Sequence, residues 1–115
     1  MTTLEIYFLI FIIIQFFHSI EELTNKFHKK FPFGKLKFKQ FFLFEILFLA
    51  FWIAVFILDI IPYRNELISV YILLMFTNGL WHIIWWRMEK KYVPGIVTAP
   101  WFVVTFLFFY FHVLT

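Results

Sequence analysis

The chain has 115 residues and a formal net charge of +3, and 63% of its residues are hydrophobic, 26% aromatic and only 15% charged. A soluble domain of this length has too little interior to bury so much apolar surface, so the composition excludes an ordinary soluble domain and predicts an all-α integral membrane protein. The absence of cysteine excludes disulfides, thiolate metal sites and cysteine nucleophiles.

Four apolar stretches follow one another along the chain, at residues 4–23, 41–61, 67–86 and 96–114. Each holds about 20 residues, which as a helix rising ~1.5 Å per residue crosses a hydrocarbon core of ~30 Å. We expect four transmembrane helices packed as a single bundle, with residues 1–115 as one domain. The first stretch lacks the basic leader and the cleavage site of a signal peptide, so we expect it to remain in the mature protein.

The loops 24–40 and 87–95 contain nine of the ten basic residues, and only Arg64 lies between the second and third stretches. The positive-inside rule therefore predicts that both loops are cytoplasmic and that both termini lie outside, with a bacterial cytoplasmic membrane as the expected location. Lysines beside a spanning helix indicate contact of the loop 24–40 with anionic lipid headgroups, and we expect no nucleic-acid partner.

Ionisable side chains interrupt the first apolar stretch near its cytoplasmic end. Glu21 and Glu22 follow His18 by three and four residues, which places all three on one broad helix face, with Gln15 one turn earlier. Such groups are costly inside a membrane and usually functional. Similar depths are predicted for the polar side chains of the other stretches, which are Glu45, Asn78, His82 and Thr98.

Imidazole and carboxylate groups on neighbouring helices match the ligand chemistry of zinc, iron or manganese. We expect a divalent metal ion held by His18, Glu21 and His82. Glu22 is then the general base, and Asn78 orients His82 or contacts the substrate. In the alternative interpretation, both glutamates reach interfacial water or pair with Lys26.

Two nearby residues are given structural roles at this stage. Glu45 is expected to reach the cytoplasmic surface beside Lys39, although a part in the site stays open. Ser19 has no evident base beside it in the sequence, so it is interpreted as a small packing residue.

Three motifs occur in order along most of the chain: His18-x-x-Glu21-Glu22, Asn78-x-x-x-His82 and Tyr92-x-Pro94-Gly95-x-x-Thr98. In these motifs the chain resembles the HXXEE family of small bacterial and archaeal membrane proteins, whose function is not established. The resemblance implies that these residues form an enzymatic site.

The third motif also has a local physical interpretation. Pro94 is expected in the first turn of the fourth helix, where its missing amide proton is not needed. Free amides at that helix start, with Thr98 and the Tyr92 hydroxyl, could then donate hydrogen bonds to an anionic or carbonyl oxygen of a substrate. The alternative is that Pro94-Gly95 is only a turn and that Thr98 bonds its own backbone.

The leading functional hypothesis is a membrane-embedded, metal-dependent hydrolase that acts on a lipid or another amphiphile at the cytoplasmic leaflet. The alternative is a small proton- or cation-coupled transporter that uses the Glu21 and Glu22 carboxylates. A structural membrane protein would explain the size of the chain but not its clustered ionisable groups. The substrate, the metal and the oligomeric state are left open.

Overall fold

A computed structural model describes all residues from Met1 to Thr115 and contains helices but no strand. The helices are α1 (Thr3–Thr24), α2 (Phe27–Lys30), α3 (Phe38–Ile57), α4 (Arg64–Glu89) and α5 (Ala99–Phe109). A π-helical turn, Tyr110–Leu114, continues α5 to the end of the chain. The prediction of an all-α fold is confirmed.

Three helices, α1, α3 and α4, are long and apolar enough to cross a membrane. The fourth, α5 with its π-helical turn, spans only residues 99–114 and is shorter than the other three. The prediction of four apolar helices is therefore confirmed, but only three of the four are long enough to cross a membrane. The cytoplasmic placement of the loops and the division of the chain into one domain stay predictions.

The end of α3 and the start of α5 differ from the predicted boundaries. α3 ends at Ile57 rather than at residue 61, and a turn that contains Pro62 follows it. α5 begins at Ala99 rather than at residue 96, because Gly95 adopts a φ of +97° in a turn that precedes the helix. The expectation that Pro94 lies in the first helical turn is wrong, since Pro100 occupies that position.

The apolar core lies between α1, α3, α4 and α5. Its fully buried members include Phe8 and Phe11 of α1, Tyr71 of α4 and Phe102 of α5. Gly79 lets α5 approach α4 closely, because a Cβ there would lie 2.8 Å from the Ala99 carbonyl oxygen. The core fixes α1 against α4 and α5, which are the elements that bear the three sequence motifs.

Arg64 joins three helices at the end of the bundle opposite to the motifs. Its guanidinium lies 2.9 Å from the Glu5 carboxylate and donates to the backbone carbonyls of Val55 and Phe56 at the end of α3. Glu5 also completes a capping box with Thr2 at the start of α1. The single basic residue of this end thus has a structural role.

Candidate metal centre

Three side chains from two helices meet in the interior. His18 and Glu22 lie one turn apart on α1, and His82 faces them from α4. The His18 Nε2 atom is 3.5 Å from Glu22 Oε1, and the His82 Nε2 atom is 3.3 Å from Glu22 Oε2. Both histidines are fully buried and Glu22 is 5% exposed. The carboxylate therefore lies between two imidazoles and away from solvent.

This spacing suits a metal ion. One ligand atom from each of the three residues lies within 4.8 Å of the other two. Ligands bound at ~2.0–2.1 Å from a tetrahedral zinc lie ~3.3 Å from each other, close to the two distances observed at Glu22. A set of two histidines and one glutamate is also typical of catalytic zinc sites, which leave a fourth position for water or substrate. The buried group of His18, Glu22 and His82 could hold a metal ion.

One residue of this group, His82, lacks hydrogen-bond partners in the buried site. Both ring nitrogens of His82 are buried and have no hydrogen-bond partner. No lysine or arginine forms an ion pair with Glu22. Because buried imidazole nitrogens are normally paired, a cation or a proton between His82 Nε2 and Glu22 would supply the partner that this nitrogen lacks.

Glu21, expected as a ligand, does not belong to this group. Its Oε2 accepts hydrogen bonds from the Tyr92 hydroxyl at 2.6 Å and from the Val97 amide at 3.0 Å. Its Oε1 accepts two more from Thr98, through the amide at 2.9 Å and the hydroxyl at 2.7 Å. The donors that the sequence predicts for a substrate oxygen thus bind the chain's own carboxylate. Neither glutamate pairs with a lysine.

Thr98 links Glu21 to His18. Its Oγ1 lies 2.7 Å from His18 Nδ1. The single hydroxyl proton of Thr98 is directed to the Glu21 carboxylate, the nearest strong acceptor, so Nδ1 carries a proton and donates it to Oγ1. This tautomer leaves the lone pair on His18 Nε2, which faces Glu22. The arrangement is the carboxylate support that metal-binding histidines commonly have, with a threonine between the two groups.

Tyr92 closes this hydrogen-bonded chain at the surface. Burial raises the pKa of its hydroxyl, and the hydrogen bond to Glu21 and the negative charge of Glu21 raise this pKa further. The hydroxyl therefore keeps its proton at neutral pH and acts as a donor to Glu21.

Asn78 contacts His18, and no hydrogen bond joins it to His82, the residue that the sequence hypothesis expects it to orient unless it contacts substrate. Its Nδ2 is 3.3 Å from His18 Nε2. An amide N–H on that nitrogen needs a lone pair there, which agrees with the tautomer inferred from Thr98. A metal ion bound to Nε2 would use the same lone pair and would therefore replace this contact. Asn78 also lines the large cavity described below, so its amide is within reach of a bound molecule.

Glu45 belongs to the interior, and the expectation that it reaches the surface beside Lys39 is wrong. It is 6% exposed and accepts a hydrogen bond of 2.5 Å from Ser19 Oγ. Gln15 donates in turn to Ser19 Oγ at 3.0 Å. The carboxyls of Glu45 and Glu22 lie side by side. Ser19, interpreted as a packing residue, is thus a polar contact between α1 and α3.

Gly95 lets the third motif approach the two histidines. A Cβ at this position would lie 2.5 Å from His82 Cε1 and 2.7 Å from His18 Cε1, and the φ of +97° is one that residues with a side chain rarely adopt. The turn of residues 94–98 therefore covers both imidazoles with its backbone. This is the physical reason for glycine in the third motif.

A cavity of about 650 Å³ adjoins the centre, and we call it the α3–α4 cavity. Nine of its 15 lining residues are hydrophobic. Glu22, Glu45, Gln15 and Asn78 line its interior, whereas Phe44 of α3 and Leu74 of α4 are 59% and 45% exposed. The cavity therefore opens on the side of the bundle between α3 and α4 and ends at Glu22.

The structure brings His18, Glu22, His82, Asn78 and Thr98 together, as the motifs predict, and adds Glu45 with Ser19 and Gln15. Glu45 and Ser19 have structural roles in the sequence hypothesis, because the hydrogen bond between them crosses from α1 to α3 and spacing along one helix does not predict it. The signal for Glu45 was present in the sequence, since a carboxyl inside an apolar stretch defaults to function.

The family comparison agrees with the motifs. Residues 9–111 match the model of a family described as a protein of unknown function with HXXEE motif. No curated protein and no solved structure matches the chain. Because the family match covers well over half of the sequence, the chain belongs to the HXXEE family.

Proposed function

We propose that the protein is a membrane-embedded, metal-dependent hydrolase whose ligands are His18, Glu22 and His82. The observation that supports it most strongly is the buried carboxylate between two imidazole nitrogens at 3.3 and 3.5 Å, with His82 otherwise unpaired. The metal is a divalent ion such as zinc, iron or manganese, which accept imidazole and carboxylate ligands. Bound there, such an ion supplies a Lewis acid and lowers the pKa of water.

Both adjacent glutamates receive roles in this proposal that differ from the sequence hypothesis. Glu22 is a ligand, because its oxygens face both histidines. Glu21 is a positioning residue, because its four hydrogen bonds, two of them from Thr98, hold the His18 ring through that threonine. Glu22 as a general base is therefore not retained.

Two residues of the cavity complete the assignment. Glu45 is the other carboxyl that lines the cavity, and Ser19 orients it, so it is our candidate for the group that accepts a proton from the attacking water. Asn78 lines the same cavity and offers an amide to a substrate. The substrate is an amphiphile, because the entrance lies between two apolar helices.

The transporter hypothesis meets a specific difficulty at Glu21. Its carboxylate is occupied by four hydrogen bonds, and a carrier group must release and rebind its cargo. Glu22 beside Glu45 is the remaining pair on which a proton-coupled mechanism would depend. The experimental result that would favour the hydrolase over this alternative is tight binding of a divalent ion that depends on the two histidines and Glu22.

A chromogenic long-chain amide, hexadecanoyl p-nitroanilide, tests the proposal on protein in phosphatidylcholine nanodiscs. We expect release of p-nitroaniline after loading with zinc, manganese or iron, and loss of release with a chelator or in His82→Ala. His28→Ala is the matched control, because His28 is also a buried histidine but lies outside the metal-binding group. Hydrolysis that survives the chelator, or that is absent from metal-loaded protein, contradicts the proposal.

A further inference from the structure

The α3–α4 cavity has an apolar wall and a polar inner end. Its volume of about 650 Å³ lies within the ~300–1,000 Å³ typical of small-molecule sites. Aromatic and aliphatic side chains from α3 and α4 form the wall, among them Phe44, Phe48, Leu74 and Met75. A molecule that fills this space presents an alkyl chain to the wall and a head group to Glu22.

The polar inner end offers hydrogen-bond acceptors that lack donors. Gln15 Oε1 is buried without a partner, and the residue is only 4% exposed. Its Nε2 already donates to Ser19, so the orientation of the amide is set and Oε1 is the free atom. Glu22 and Glu45 add carboxyl oxygens to the same end. A buried acceptor without a donor is costly, so the complementary ligand is a hydrogen-bond donor.

The cavity also selects by charge. Its lining contains two carboxyl groups and no lysine or arginine. In the metal-free protein this lining offers no cation to a phosphate, sulfate or carboxylate head group, which disfavours the binding of such a head. The basic residues of the loop 24–40 lie outside the lining.

We propose that the α3–α4 cavity binds a single-chain amphiphile whose head group donates hydrogen bonds and carries no negative charge, a long-chain primary amide being the simplest example. The alkyl chain lies between α3 and α4, and the head lies beside Glu22 and Gln15. The inference rests on the proposed function only in naming the molecule as the substrate.

Photolabelling in phosphatidylcholine nanodiscs tests the binding. The probe is hexadecanamide with a diazirine in the middle of its chain, and its attachment sites are mapped by mass spectrometry. We expect labels on wall residues such as Phe44, Phe48 and Leu74. Labels spread evenly over the other apolar faces of the bundle, with none enriched at the wall, would overturn the proposal.

Three competitors with the same chain length test the head group. Hexadecanamide should compete with the probe, and methyl hexadecanoate, which lacks a donor, should compete about 3- to 10-fold less well. On protein stripped of metal with a chelator, hexadecyl sulfate should compete at least about 100-fold less well, because the lining then offers it no cation. Equal competition by the amide and the sulfate contradicts the inferred selectivity.

Matched variants locate both ends of the site. Gln15→Leu should abolish the preference for amide over ester, whereas Gln40→Leu, at the exposed glutamine of the same lining, should preserve it. Leu74→Trp should reduce labelling by filling the cavity mouth, and Leu73→Trp, at an exposed neighbour outside the lining, should not. Unchanged preference in Gln15→Leu, or equal labelling in both tryptophan variants, would overturn the inferred orientation.

Metal content of the same samples separates this inference from the proposed function. Leu74→Trp should lose the probe and keep its metal, whereas His82→Ala should lose its metal and keep the probe. Selective amide labelling in a wild-type protein that takes up no metal supports the ligand inference and contradicts the hydrolase. Metal uptake without selective labelling supports the hydrolase and contradicts the ligand inference.

Discussion

Four hydrogen bonds converge on the carboxylate of Glu21, a residue that contacts neither of the proposed metal-binding imidazole nitrogens. Two of them come from backbone amides of the turn before α5, and two from the hydroxyls of Tyr92 and Thr98. Because Thr98 also contacts His18 Nδ1, this network sets the tautomer and the orientation of the histidine. The third motif thus holds the His18 side chain of the first motif in place through Thr98 and Glu21.

Substitution of Thr98 tests this support. Thr98→Val keeps the shape of the side chain but removes the hydroxyl, and the affinity for the metal should fall about 10- to 100-fold, as for other residues that hold a metal-binding histidine. Thr98→Ser should restore most of it. Titration of purified protein with zinc against a competing chelator measures the effect, and Thr105→Val in α5 is the control. Equal affinities of Thr98→Val and wild type would remove Thr98 from the site.

The sequence predicts the presence of this site better than the roles within it. The spacing places His18, Glu21 and Glu22 on one broad face of a helix. Which carboxyl then faces His82 depends on the rotation of α1 about its axis, and packing of the core against α4 and α5 sets that rotation. A rotation by one residue is enough to exchange ligand and positioning residue, so spacing alone could not decide between them.

Among the elements, the turn of residues 94–98 shapes the centre most directly. It brings backbone amides to Glu21 and places the Gly95 backbone against both histidine rings. The apolar runs predict the long helices, because length and hydropathy suffice for that. They do not predict this turn, nor the four-residue helix α2, because neither has a periodic pattern to read.

Alanine substitution of Gly95 tests the close approach of this turn to the rings of the two histidines. Gly95→Ala introduces backbone strain of about 1–3 kcal/mol and a methyl group that collides with the rings of His18 and His82, so the metal should be lost. Gly34→Ala is the control, because Gly34 also has a positive φ but open space around its Cβ position. Circular dichroism and metal content are measured on both. A Gly95→Ala protein that folds and keeps its metal would contradict the close approach.

For the whole molecule, the distribution of charge predicts an orientation that places the metal centre near the cytoplasmic surface. The motif end of the bundle adjoins the two basic loops, and the Arg64 cluster lies at the opposite end. If the loops are cytoplasmic, the α3–α4 cavity opens toward the inner leaflet.

Cysteine labelling in intact cells tests this orientation. The chain has no native cysteine, so single cysteines can be introduced at Lys35 and at Ile60, which is 88% exposed in the connection between α3 and α4. A membrane-impermeant thiol reagent should label Ile60→Cys and leave Lys35→Cys unlabelled until the cells are opened. The opposite pattern would place the cavity mouth in the outer leaflet.

Metal content of the purified protein tests the central claim most directly. After loading and removal of excess ion, the wild type should contain about one divalent ion per chain, as a site with three protein ligands implies. Glu22→Gln, His18→Ala and His82→Ala should contain none, whereas Glu21→Gln should still bind the ion with weaker affinity. Absence of metal from the wild type under every loading condition, or full metal in Glu22→Gln together with none in Glu21→Gln, would contradict the account.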